Sequence, residues 1–122
     1  MKKFALLILF SACFVEQSQI QLLEKIEFQA MMDQDVQLID VRTSKEYIEG
    51  YIKEAQNIDF NSDDFLNQIS KLDKDKPVLV YCALGSRSAK ASKVLDYHGF
   101  KKIYDLKGGY FSWWTSSISL KN

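Results

Sequence analysis

Three short apolar-rich runs, VQLIDV at 36–41, VLVYC at 78–82 and KIYDL at 102–106, recur between segments of helical spacing. Their length and their bounding turn residues suit strands, and their apolar character suits strands covered from both sides. The segments between them carry helix start and stop signals. Thr43 with Glu46 three residues later forms a capping box, opening a short helix that Gly50 ends. Ser62 can cap a helix running to about Lys71. From Ser86 to His98, Ala89, Val94, Leu95 and Tyr97 fall at helical spacing, and Gly99 is a C-terminal stop. IQLL at 20–23 is an ambiguous apolar run, EKIEFQAMM at 24–32 reads as a helix, AQNIDF at 55–60 holds a short strand, and YFSWW at 110–114 reads as helical. Strands and helices alternating over short connections specify an α/β fold, an open parallel sheet with helices on both faces.

With 122 residues, 47% of them hydrophobic, the chain can bury one core but not two. A single folded domain is expected over 20–122. Sixteen basic residues balance sixteen acidic ones, so nothing marks a polyanion binder and nucleic acid is not an expected partner. The first residues follow a different logic. MKK and then FALLILF give a basic start and a short apolar stretch, the order of a bacterial export signal. Phe4 to Val15 is 12 residues, whereas a membrane-spanning helix needs about 20. Bulky Phe10 is unsuited to an ordinary cleavage site, and LFSAC resembles instead a lipobox, whose cysteine receives lipid and becomes the mature N-terminus. The expected organisation is a signal peptide over 1–12, a tether over 13–19 and a lipidated Cys13, with the protein in the bacterial cell envelope, periplasmic or held to a membrane only through that lipid. An ordinary secreted protein and an uncleaved tether are the alternatives. With Cys13 lipidated or removed, Cys82 is the remaining thiol, and a lone thiol in an oxidising compartment stands out.

Cys82 ends the strand VLVYC, and two readings of it are open. Free cysteine is a common core residue. Ligands of open α/β sheets, however, bind at the carboxyl ends of strands, where Cys82 lies. Gly85 allows the sharp turn that follows, the turn feeds a helix whose first N–H groups lack intrahelical partners, and Arg87 adds a cation. An electropositive environment of this kind makes a thiol reactive.

CALGSRSA at 82–89 resembles the active-site loop of the rhodanese family, Cys-x-x-Gly-x-Arg followed by small residues. LIDVRTSKEYIEGYIKEAQNI at 38–58 is similar to the family's Asp-Val-Arg segment followed by Glu-Tyr and Gly-His-Ile, and DLKGGYFSWW at 105–114 to its closing Leu-x-Gly-Gly-aromatic segment. The likeness runs from about Leu23 to Trp114 with the motifs in order. It implies a rhodanese-like fold and a sulfurtransferase, in which Cys82 takes sulfur from a small thiosulfate-like donor, carries it as a persulfide and gives it to a thiol, to cyanide or to an acceptor protein. The same resemblance implies that the amides of Ala83, Leu84, Gly85, Ser86 and Arg87 hold the thiolate and persulfide. Arg87 would also brace the loop and attract anionic donors, while Asp40 and Arg42 support the site or form an ordinary surface ion pair. No cofactor is implied. Two departures bear on the donor: Ala83 stands where many members carry a basic residue, and Tyr51 replaces the histidine of Gly-His-Ile.

Two other functions fit a related sequence. Phosphatases and arsenate reductases of this fold use a cysteine loop one residue longer than the six residues from Cys82 to Arg87. A partner-binding rhodanese-like module would not need the cysteine that this chain keeps. A structural zinc site lacks ligands, with one histidine and no Cys-x-x-Cys, so no metal is expected. KGG at 107–109 lacks the rest of a phosphate-binding loop, His98 reads as a helix-end residue, and the aromatic run from Tyr110 to Trp114 reads mainly as core packing, with room for one ring to border the site.

Overall fold

The structure is a computed structural model; it describes residues 19–119, together with 3, 5–9 and 11, and for 116–119 the backbone only. Cys13 and residues 14–18 of the expected tether lie outside the described residues, as does most of the expected cleavage region. Among the described residues no helix is long and apolar enough to cross a membrane.

Among the described residues five strands, β1 (Ile20–Leu23), β2 (Gln37–Asp40), β3 (Gln56–Asn57), β4 (Val78–Tyr81) and β5 (Ile103–Leu106), form one sheet in the order β1-β5-β4-β2-β3. Every pairing is parallel. Five helices connect or follow them: α1 (Lys25–Met31), α2 (Ser44–Glu49), α3 (Phe65–Ile69), α4 (Ser86–Tyr97) and α5 (Gly109–Ser119). The ambiguous IQLL is the edge strand β1, and all four residues of central β4 are buried, as an apolar run between two helical layers requires.

Side-chain alternation along the strands divides the core. Val78, Val80 and Cys82 pack with Phe65 and Ile69 of α3 and Ala91 and Leu95 of α4. Leu79 and Tyr81 face the opposite way, with Phe28 of α1, Tyr47 of α2 and Tyr110 and Trp113 of α5. Tyr81, the largest fully buried side chain, has its hydroxyl satisfied by the Ile52 N–H at 3.0 Å.

The Thr43 and Glu46 capping box is present in both directions and starts α2. Ser62 behaves differently from the expectation. Its hydroxyl accepts from the Asp64 N–H at 3.1 Å, making a turn, and the helix occupies only Phe65–Ile69. A serine oxygen satisfies one nearby N–H in a turn as readily as in a cap, so the residue type does not distinguish the two.

Candidate active site

Cys82 leaves the carboxyl end of β4 between its neighbours β2 and β5. Its Sγ accepts the Gly85 N–H at 3.0 Å, and the thiol donates to Ser88 Oγ at 3.4 Å. The turn closes this tightly because Gly85 takes φ +120°, a conformation L side chains rarely adopt. Ser88, fully buried in the first turn of α4, donates in turn to the Gly85 carbonyl at 3.2 Å. Behind the loop, the start of α5 holds the backbone. The N–H groups of Tyr110 and Phe111 bond the carbonyls of Cys82 and Ala83 at 2.8 and 3.0 Å. The α5 backbone lies so close that a Cβ on Gly109 would stand 2.5 Å from the Cys82 oxygen and 2.6 Å from that of Ala83. With these carbonyls drawn toward α5, the Gly85 N–H is left to face the sulfur.

Two ion pairs frame the loop. Arg87 forks onto Glu46, with Nη1 to Oε1 at 2.7 Å and Nη2 to Oε2 at 3.0 Å. Those bonds pull the Glu46 carboxyl down to about 2, against the effect of burial and with help from Thr43, and they raise the pKa of Arg87. Arg42 grips Asp40 through Nε and Nη2, at 3.1 and 2.7 Å, and donates from Nη2 to the Gly50 carbonyl at 2.6 Å. Burial opposes the Arg42 charge, but the Asp40 carboxylate outweighs it and the guanidinium pKa is raised. Asp40 is 0% exposed and Arg42 5%, so this is not the surface ion pair that the sequence left open. Asn57 completes it by donating to the Asp40 and Arg42 carbonyls at 3.0 and 2.9 Å.

Two further features adjoin the loop. Asp105, buried in β5, has its pKa pushed up to about 6 by burial, opposed only by the Ser88 hydroxyl, and its Oδ1 has no partner. On the outer side, Ala83, Leu84, Tyr110, Phe111 and Trp114 line an open cleft of about 250 Å³.

Residues 24–116 match the family model described as the rhodanese-like domain. The chain belongs to the rhodanese-like domain family. It is 37% identical over 89 residues to the thiosulfate sulfurtransferase GlpE of Pseudomonas fluorescens, covering 72% of this chain and 79% of that protein. It is 45% identical over 91 residues to the tRNA uridine(34) hydroxylase of Cytophaga hutchinsonii, of whose length it spans only 29%. The solved rhodanese-related protein of Thermoplasma volcanium superposes with a TM-score of 0.69 at 30% identity, over 77% of this chain and 90% of that one.

In this rhodanese-like domain the sequence-predicted residues come together at one end of the sheet, with Cys82 through Arg87 forming the loop after β4 and Asp40 and Arg42 at the end of its neighbour β2. Of the loop amides, the Gly85 N–H is the one bonded to Sγ. Cys82 itself is only 1% exposed and belongs to the apolar cluster on the α3 and α4 face, so packing and placement at the loop coincide in one residue. Four participants were not singled out from the sequence: Glu46 as partner of Arg87, Ser88 against the thiol, Asn57 beneath the Asp40 pair, and Gly109 against the loop carbonyls. Glu46 was read from the sequence as half of a capping box and as part of the Glu-Tyr motif, with no role at the loop. Its second role is set by a neighbour 41 residues away.

Proposed function

We propose that the chain is a sulfurtransferase that carries a sulfane sulfur on Cys82. The observation that carries this reading is the Cys82 sulfur held at 3.0 Å from the Gly85 N–H at a strand end, in a loop whose Cys82 and Ala83 carbonyls are tied away. A thiolate there displaces the leaving group of the donor. With thiosulfate, Sγ bonds the outer sulfur, the S–S bond breaks, and sulfite departs with the electron pair. An acceptor nucleophile then bonds the outer sulfur of the Cys82 persulfide, and Sγ leaves as thiolate. The Gly85 N–H stabilises the anion before and after each displacement, and Glu46 and Asp40 hold Arg87 and Arg42 in place around it. The relative named thiosulfate sulfurtransferase adds support.

Incubation with a sulfane donor should make the protein heavier by one sulfur, and cyanide or a thiol should remove it. Cys82→Ser should take up none while remaining folded, since serine is close in size. A folded Cys82→Ser protein that transfers sulfur as fast as wild type would return Cys82 to a packing role.

The basic start, short apolar stretch and small residues before Cys13 support a second proposal, that the domain works in the bacterial cell envelope from a lipid on Cys13.

A further inference from the structure

The cleft beside the loop has a one-sided chemistry. Its lining residues are Ala83 and Leu84, which directly follow Cys82, and Tyr110, Phe111 and Trp114 on α5, and none of them carries a charge. Leu84, Phe111 and Trp114 are 70%, 61% and 59% exposed, a cluster of apolar side chains standing in water beside the loop that follows Cys82. The two arginines that frame the loop are already used. Arg87 is forked onto Glu46, and Arg42 is held by Asp40 and the Gly50 carbonyl. The first free N–H groups of α5, which elsewhere would receive an anion, are bonded to the Cys82 and Ala83 carbonyls. A sulfonate or carboxylate entering this cleft would lose water and find no partner, whereas an apolar group would gain by burial.

We infer that the cleft selects the organic part of the sulfur-exchange partner, and that this partner is a small thiol, or the corresponding persulfide, bearing an uncharged apolar or aromatic group. This deepens the sulfurtransferase reading and rests on it. In the forward direction the partner's thiolate bonds the outer sulfur of the Cys82 persulfide, the Cys82 S–S bond breaks, and Sγ takes the electron pair. The products are the partner's persulfide and the Cys82 thiolate. The reverse step loads Cys82 from that persulfide, with no net oxidation in either direction. A cleft of about 250 Å³ has room for a phenyl-sized group, since an engineered apolar cavity of about 150 Å³ already holds benzene.

The test uses the full chain with Cys82 loaded by inorganic polysulfide and its discharge followed by intact mass. Acceptors are 2-phenylethanethiol, 2-mercaptoethanesulfonate and cyanide, each rate divided by that of the same nucleophile with a small-molecule persulfide in free solution. The normalised rate with phenylethanethiol should exceed that with the sulfonate by about tenfold or more. In Trp114→Ala the ratio of phenylethanethiol to cyanide discharge should fall several-fold, and in Leu84→Lys the preference between the two thiols should narrow or reverse. Equal normalised rates in the wild type, or a thiol-to-cyanide ratio unmoved in Trp114→Ala and a thiol preference unmoved in Leu84→Lys, would overturn the inference while leaving sulfur transfer standing. If the wild type acquires no sulfur on Cys82 from polysulfide, thiosulfate or an organic persulfide, the sulfurtransferase reading itself fails and the inference with it.

Discussion

Replacing Asp105 with Asn should stabilise the protein at neutral pH, by an amount that grows as pH rises from about 4 through about 6. The carboxyl has its pKa raised from 3.8 to about 6 because it is buried at 4% exposure with one oxygen unpartnered. A carboxyl whose folded pKa is raised favours folding through its neutral form. That contribution is fully present below the unfolded value and is lost as pH rises through the folded one. Taking those two pKa values, ionisation of Asp105 costs well under 1 kcal/mol near pH 4 and about 3 kcal/mol near pH 7.5. Asn keeps the shape and cannot ionise, so the difference in stability between variant and wild type should grow by about 2 kcal/mol across that range. Any fixed offset from exchanging a carboxyl for an amide cancels in this comparison. Urea unfolding of both proteins, followed by tryptophan fluorescence at several pH values, measures it. A difference that stays flat between about pH 4 and pH 7.5, or one that favours the wild type increasingly as pH rises, would refute the placement of Asp105 as a carboxyl whose ionisation burial opposes.

Gly109→Ala should lower Tm by about 10 °C or more and slow sulfur uptake, because a Cβ there meets two loop carbonyls and the residue sits at φ +61°; thermal melts and persulfide loading check both. Glu46→Gln should remove about 1 to 2 kcal/mol of stability at neutral pH, a figure reduced for the partial exposure of the pair. Because the folded pKa of Glu46 is depressed from 4.5 to about 2, wild type should lose that advantage as pH falls between those values, and a wild-type advantage unchanged through acid would count against it. Ala83→Arg should raise kcat/KM for thiosulfate about tenfold at low ionic strength, with the gain shrinking as salt is added; a salt-independent result would show that residue 83 does not meet the donor. Cys13→Ser should abolish incorporation of labelled fatty acid, and absence of label in the wild type would remove the lipid anchor.

The sheet and most helices were legible because local pattern carries them. VLVY is a strand in any setting that covers both its faces, the Thr43 and Glu46 box is satisfied within one helical turn, and the Gly85 turn followed by Ser86 to Tyr97 needs only its own residues. The Cys82 loop is one continuous segment, which is why CALGSR could be read directly. What the tertiary structure alone decided depends on distance in sequence. Parallel pairing brings β2, β4 and β5 together at one end, and only there does Glu46 neutralise Arg87, Asn57 reach the carbonyls of the Asp40 pair and the start of α5 tie back the Cys82 and Ala83 carbonyls. Charge counted along the chain made Arg87 an available cation, but the folded structure gives it a partner 41 residues away. The aromatic segment read mainly as core with room for one ring to border the site, and the 3.6-residue turn of α5 divided it further, turning Trp113 inward against Phe28 and leaving Phe111 and Trp114 outside to border the cleft beside the Cys82 loop. Local pattern thus determined the strand, the turn and the thiol, and packing over long separations decided which charges remain free around them, because only the folded chain brings opposite charges within hydrogen-bonding reach.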